Sequence, residues 1–559
     1  MRKIAAAMLA VCCLVFAVTY GNAESFKILG TRPLSMGGAY VAIAEDAITQ
    51  YWNPAGLGIG KDFDIQLPVG LQAEMTGDIL GSANRLKDIA GQFTNISQAQ
   101  SSGRPLTLDQ LAAFANGIKE LDDLNAPDKG VIVDIDAGGN IRVGHFALSM
   151  NNFTSMGIDP TVDTHNLGLG HVPAPHKRII CRAGSVGVDL GQLISNSSIG
   201  GSALANKPTD PTCAAAATTL STSLQQLASA VGITIGNYSY QQVANAVVNA
   251  ATDPAIITKL NTQYGLNLQP LSNTQVQNYV TQISQNTPLI VALLQGLSNT
   301  SYAQNQSSLK IRGVSTFEAS LGYGMAVPYV QDENVLGGAL EGLYAGANLK
   351  YIKGYVGYVG ITVLNGAAGD ASDIYSDFSD KQKTSNALGL DLGLLLQKKV
   401  LNKKINVGLL ARNLNSPTFD QPDAAILAGE DSKYKVDPQL RAGVAIWPFN
   451  WWTISSDLDL TKNKTPLPGY YSRQWGLGNE FNLVNSPAFN IALRAGIMKN
   501  LAESSSKIAY TGGLGLNLLH LVIDIGGAFS SDTVEITSNN KSYDIPVSAA
   551  AALTISLDF

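Results

Sequence analysis

Few residues in this 559-residue chain have the type and spacing for covalent chemistry. Three of the five histidines, His165, His171 and His176, fall within twelve residues and lie near Cys181. Imidazole beside thiolate is zinc chemistry, but these spacings match no zinc motif and the stretch is rich in proline and glycine. No metal and no cofactor is assigned. Cys181 and Cys213 stand 32 residues apart and could close one disulfide in an oxidising compartment, or remain two separate thiols. Neither has CxxC spacing, which leaves redox catalysis without support. There is no GxSxG elbow, HExxH pair or P-loop, and His145 and His520 lack a supporting constellation. No catalytic residue is assigned, and the chain is expected not to be an enzyme. The remaining groups are charges set singly among apolar and small residues: Glu318, Lys350, Asp391, Arg412, Arg441, Glu480, Arg494 and Asp524. Pairs such as Asp391 with Arg412, or Asp457 with Arg441, have the signs to neutralise one another.

Those charges need elements to carry them, and composition narrows the choice. At 45% hydrophobic residues and a net charge of −6 the chain is not disordered, and 55 glycines without a period exclude collagen. Mild acidity without a basic run disfavours nucleic acid. Only 14% of residues are charged, against about 25% in a soluble domain, so much of the surface is expected to meet an apolar medium.

Met1-Arg2-Lys3, the apolar run Ile4–Val18 and the small residues Gly21-Asn22-Ala23 form a secretory signal over residues 1–23. A lipoprotein signal would use Cys12, but the bulky Val11 before it fits poorly. No second segment reaches the 18 apolar residues of a spanning helix.

The charges sit on a period of two. Leu388, Leu390, Leu392, Leu394 and Leu396 oppose Gly389, Asp391 and Gly393, and Phe489, Ile491, Leu493, Ala495 and Ile497 oppose Asn490, Arg494 and Gly496. Strict alternation gives a strand two unlike faces. The segments run about 9–12 residues, the length of a tilted strand that crosses a bilayer. Fourteen strands are expected, near 62–74, 131–138, 140–150, 314–327, 342–353, 386–398, 404–414, 437–447, 452–461, 472–484, 488–498, 507–518, 520–530 and 547–559. Short connections, including a turn at Gly138-Gly139, fall on one side, with 328–341 the exception, and every long insertion falls on the other. That sorting marks an outer-membrane barrel rather than a soluble sandwich. Aromatics such as Trp447, Trp451, Trp452 and Trp475 gather at strand ends, as interfacial girdles do. The last strand ends in Phe559, which resembles the C-terminal signal of bacterial outer-membrane barrels.

Residues 30–57 read GTRPLSMGGAYVAIAEDAITQYWNPAGL. This resembles the start of the FadL-like outer-membrane superfamily, with Arg32-Pro33 and Met36-Gly37-Gly38-Ala39-Tyr40 closest to its TraF-like and PorV-like branches. The resemblance implies an all-β membrane fold: a fourteen-stranded antiparallel transmembrane barrel with an N-terminal hatch in its lumen. Gly37, Gly38, Asp46, Asn53, Pro54 and Ala55 are the matching hatch or gating positions. Gly37-Gly38 would allow close backbone approach, and Pro54 would bias Asn53 to an extended conformation. A plain turn into the first strand is the other reading of Asn53-Pro54.

The expected organisation is a signal peptide at 1–23, a hatch at 24–60, and a barrel over 61–559 with extracellular insertions at 75–130 and 151–313. Both insertions contain helical patterns: Leu106, Leu108, Leu111 and Phe114 in the first; Leu220, Leu224, Leu227 and Val231, then Val243, Val247 and Val248, in the second. They could form a lid, bind a partner, hold an apolar ligand, or simply pack on themselves. The expected location is the bacterial outer membrane, with outer-membrane lipid and the barrel-assembly machinery as partners and nucleic acid excluded. Two functions stay open. One is a channel for small, hydrophobic compounds, gated or occluded by the N-terminal segment. The other is a non-enzymatic scaffold for conjugal transfer or protein secretion, with a component of such machinery as partner.

Overall fold

The computed structural model describes residues 22–43, 45–60, 63–77, 124–125, 128–163, 181–183, 186–188, 201–230, 238–264, 267–296, 307–328, 330–331, 338–362, 378, 380–486, 489–538 and 541–559. Residues 1–21 of the signal segment, the 105–122 pattern and His165, His171 and His176 lie outside the described residues.

Fourteen strands close into one barrel. They are β1 (Phe63–Thr76), β2 (Gly130–Val143), β3 (Phe146–Thr161), β4 (Ser308–Ala326), β5 (Leu343–Thr362), β6 (Lys383–Val400) and β7 (Lys403–Arg412). The second half is β8 (Gln439–Phe449), β9 (Trp452–Asp459), β10 (Gln474–Ser486), β11 (Phe489–Asn500), β12 (Ala509–Leu518), β13 (Leu521–Ser530) and β14 (Ser548–Asp558). Every neighbouring pair is antiparallel, and β14 closes on β1 through Ile65↔Leu557 and Val69↔Leu553. Closure leaves no strand edge, which lipid could not satisfy. Alternation assigns the faces. Leu321, Leu349, Leu388, Ile525 and Leu67 point outward and are each at least half exposed, while Glu318, Lys350, Asp391 and Arg494 point inward and are buried. An outward apolar belt of that extent is stable only in an apolar medium. No described helix is long and apolar enough to cross a membrane.

One expected turn is corrected. Gly138-Gly139 lies inside β2, and the turn falls at 144–145, where Gly144 takes φ 57°. Alternation runs straight through the glycines, with Asn140 and Arg142 buried and Ile141 and Val143 exposed beyond them. Gly138 is small because a Cβ there would overlap the Asn151 side chain on β3. The β1–β2 ladder keeps one register but skips Leu67 and Pro68, opposite these two glycines; Pro68 has no N–H to donate.

Residues 201–296 form a helical unit: α3 (Pro211–Ala230), α4 (Tyr240–Thr252), α5 (Pro254–Tyr264) and α6 (Asn273–Gly296), numbered after two short lumen helices described below. Ser239 and Gln242 cap α4 reciprocally, and the backbone N–H groups of Cys213 and Thr212 hold the exposed Asp210 carboxyl below its ordinary range at the start of α3. Of the expected stripe residues, Leu220, Val243 and Val248 are buried with Leu224 and Val247 against them, Leu227 is half-buried, and Val231 lies outside the described residues. The Cys181 side chain lies outside the described residues. Cys213 is a free, buried thiol, drawn among Ala216, Ala217, Val276 and Val280 by the helical core.

Candidate functional site

A barrel this wide cannot be filled by wall side chains alone, since about eight strands is the limit for that. The N-terminal segment fills it instead. Asn22–Glu24 pairs in parallel with Lys462–Lys464 at the long-loop end. The chain then runs the length of the lumen through α1 (Thr31–Ser35), α2 (Thr49–Trp52) and a 3₁₀ turn (Pro54–Ile59), and enters β1 at the short-turn end. This plug has its own aromatic core, in which Phe26, Tyr40 and Tyr51 surround Trp52 at centroid distances of 5.1–5.8 Å. Leu29, Met36, Val41 and Ile43 complete it at zero exposure.

The hatch positions read from the sequence all lie in this plug. Gly37 and Gly38 both take positive φ, 67° and 76°, and a Cβ on Gly37 would press the Leu477 carbonyl at 2.9 Å. Asn53 is extended, at φ −167°, as Pro54 requires. Its side chain accepts from Ala55 N–H at 3.1 Å and donates to the carbonyls of Val41 and of Leu394 on β6, each at 3.0 Å. Asn53 therefore both caps the turn and ties the plug to the wall. Asp46 accepts from the Tyr40 hydroxyl and lies 4.0 Å from Arg32. Ala55 is wholly buried against Gly346 and Gly393.

The eight expected lumen charges gather into three networks on the plug–wall seam. In the first, Lys350 lies 3.4 Å from Glu318 and 3.1 Å from Asp391, while Arg412 spans the same two carboxylates and sits 4.0 Å over the Tyr51 ring. In the second, Arg32 of the plug grips Glu480 with two hydrogen bonds of 2.7 Å. Arg494 bonds the same carboxylate at 2.6 Å and Asp524 at 2.5 Å. In the third, Arg441 lies 3.4 Å from Asp459 and 4.4 Å over the Phe26 ring, and Asp457 accepts the backbone N–H groups of Tyr40 and Val41 at 2.7 and 2.9 Å. Several buried polar atoms along the seam, including both side-chain heteroatoms of Gln50 and Oδ1 of Asn348, have no hydrogen-bond partner. Buried polar atoms of this kind are the usual seats of internal water.

Three features escape a reading of the sequence. Arg32 stands out there only as part of a motif, yet it supplies the plug's strongest ionic contact. Arg142, 1% exposed, gathers the Glu45, Gly56 and Leu57 carbonyls at 2.7–3.4 Å; its inward parity on β2 is the available signal. The third is a socket of wall glycines. A Cβ on Gly478 would lie 2.5 Å from that of Met36, one on Gly496 would lie 2.8 Å from the Gly37 nitrogen, and one on Gly476 would overlap the Gly37 carbonyl. The inward glycines of the alternating segments, readable as a merely polar face, are the recess into which plug backbone fits.

Among the described residues, two cavities lie beside the plug. One of about 50 Å³ lies between Phe26, Lys27 and Leu34 and the wall at Gly70 and Asp136. The other, about 270 Å³, is polar and runs from Arg32 and Glu480 toward Asn490, Asn517 and Asp558 at the short-turn end.

The family model described as the F plasmid transfer operon TraF protein matches residues 187–459, from before the helical unit through β9. Among solved structures, the P. putida toluene transporter TodX is 9% identical with a TM-score of 0.37, over 96% of this chain and 99% of that one. The CymD monoaromatic hydrocarbon channel is 10% identical with a TM-score of 0.37, over 96% and 99%. A Pseudomonas aeruginosa FadL homologue is 8% identical with a TM-score of 0.37, over 96% and 100%. Likenesses this distant add nothing to the topology already described. No curated protein matches the chain. The plugged fourteen-stranded barrel has the architecture that the resemblance of residues 30–57 implied, and residues 187–459 are similar to the TraF family.

Proposed function

We propose that the protein is an outer-membrane channel for small hydrophobic compounds, closed by its N-terminal plug and opened when the plug shifts. The carrying observation is the nature of the plug's seat: a lumen too wide for wall side chains is filled by a separate segment held through ion pairs and partly unpartnered polar groups. Such a seam can exchange its partners for water, which a dry apolar core cannot do without a large penalty. The resemblance of residues 30–57 favours apolar cargo, and the aromatic core around Trp52 is the surface a shifted plug would turn toward it. The skipped pairs at Leu67-Pro68 lie near the 50 Å³ cavity and offer a thin place in the wall for lateral exit. By the usual length rule the short turns face the periplasm and the long loops the exterior.

A second reading, a scaffold for transfer or secretion, is favoured by how completely the plug fills the lumen and by the TraF-family match. A lock decides between them. The double variant Ser35→Cys with Gly513→Cys places one thiol on the plug and one on the wall. A Cβ on Gly513 lies 2.7 Å from that of Ser35, close enough to bridge after a small shift. In liposomes, uptake of a small aromatic hydrocarbon should be absent in the oxidised double variant and return on reduction. Equal uptake in both states, or none above empty liposomes, would refute the channel.

A further inference from the structure

Among the described residues the short-turn rim is basic on one arc only. The β6–β7 hairpin reads Lys398-Lys399-Val400-Leu401-Asn402-Lys403-Lys404, and in register Lys399 faces Lys404 while Val400 faces Lys403. Like charges directly opposite destabilise a hairpin. Two carboxylates answer part of this charge: Glu341 lies 3.7 Å from Lys398, and Glu45 lies 2.8 Å from Lys404. Lys399 and Lys403 have no ion-pair partner among the described residues; alternation puts Lys399 on the lumen face with Lys404, and Lys403 on the outward face, where its ammonium stands 4.9 Å from the centre of the Phe449 ring. The turns at 144–145, 450–451 and 519–520 contain no lysine or arginine, so the charge is focused rather than spread around the rim.

The same arc is apolar at its tip. Leu401 is 91% exposed with φ 52°, a conformation that bulky side chains seldom adopt. Phe449 and Trp451 on the next hairpin stack at 5.3 Å, each about half exposed. Exposed leucine and aromatic groups beside an unanswered lysine suit the headgroup layer, where rings and aliphatic stems enter the acyl boundary and ammonium groups reach phosphate.

We propose that this arc is a seat for an anionic phospholipid of the periplasm-facing leaflet, with Lys403 on the phosphate and Leu401, Phe449 and Trp451 against the acyl region. A soluble anion would have no use for the flanking apolar groups. The inference rests on the membrane orientation proposed above.

The test uses the full chain in lipid discs of phosphatidylethanolamine, with and without added phosphatidylglycerol, followed by native mass spectrometry of retained lipid. Phosphatidylglycerol should be retained in preference. Lys403→Gln should weaken that retention roughly fivefold, the worth of one lysine near a charged surface. Lys399→Gln, on the lumen face, and Lys433→Gln with Lys435→Gln, on the long-loop hairpin, should leave it unchanged. Equal retention of both lipids, or equal loss in Lys403→Gln and these other variants, overturns the seat. A barrel that enters discs, migrates heat-modifiably and shows no lipid preference sinks only this inference; one that never enters them sinks the channel reading as well.

Discussion

Replacing Glu480 with glutamine tests most directly how the plug is held. Glu480 is 3% exposed and receives Arg32 from the plug and Arg494 from β11. Glutamine keeps the shape but withdraws the charge, leaving two guanidinium groups face to face. Removing one partner of a buried pair costs about 3–5 kcal/mol. Arg494 retains Asp524 at 2.5 Å and Arg32 retains Asp46 at 4.0 Å, so the lower end applies. About 3 kcal/mol corresponds to roughly a hundredfold shift between docked and undocked plug, because Arg32 escapes the repulsion only by leaving. Ser35, wholly buried in α1, can report this as Ser35→Cys in a background without Cys181 and Cys213. A membrane-impermeant maleimide should label it roughly a hundredfold faster in E480Q, in proportion to the undocked fraction. Adding Arg32→Met should reverse most of the gain, since Arg494–Asp524 then remains as a balanced pair. If E480Q barrels still run heat-modifiably and label no faster, the ion pairs do not hold the plug and the glycine socket does.

Three further outcomes follow from the packing. Gly476→Ala should cost about 1–3 kcal/mol by overpacking and raise the same labelling, because its Cβ would overlap the Gly37 carbonyl; unchanged labelling would mean the socket is slack. Replacing residues 201–296 with a short linker should leave the heat-modifiable barrel intact, since the unit packs on itself and Thr161 already pairs with Ser308 across the β3–β4 hairpin; loss of the folded band would show the barrel depends on it. Deleting Phe559, which lies over His520 at 4.6 Å and donates its N–H to the Phe63 carbonyl, removes stacking of about 1 kcal/mol. Assembled protein in cells should nonetheless fall steeply, and normal yield would refute its role as the assembly signal.

Much of this architecture was legible because a membrane barrel writes its two faces directly into the period of two. The fourteen barrel strands, apart from the β2–β3 boundary, follow from that pattern and from the sorting of long loops to one end. The single misplaced turn arose because paired glycines are also what a turn uses; at Gly138 the demand came from Asn151 on the neighbouring strand, which only the register reveals. Inward charges could be picked out singly, but not their grouping. Arg32 meets Glu480 across 448 positions of sequence, and no local pattern carries such a pairing. The glycine socket was hidden for the same reason: small residues on a polar face have no local sign of the backbone they will receive.

The way the plug is moored limits how it can move. Its inner end is continuous with the wall through the link from Gly60 to Phe63. Three residues reach about 10 Å when fully stretched, far less than the roughly 30 Å of a bilayer interior. A stopper on so short a leash cannot drop out whole. To clear the bore it must either tilt in place or come apart from its free end, unravelling its aromatic knot as it goes.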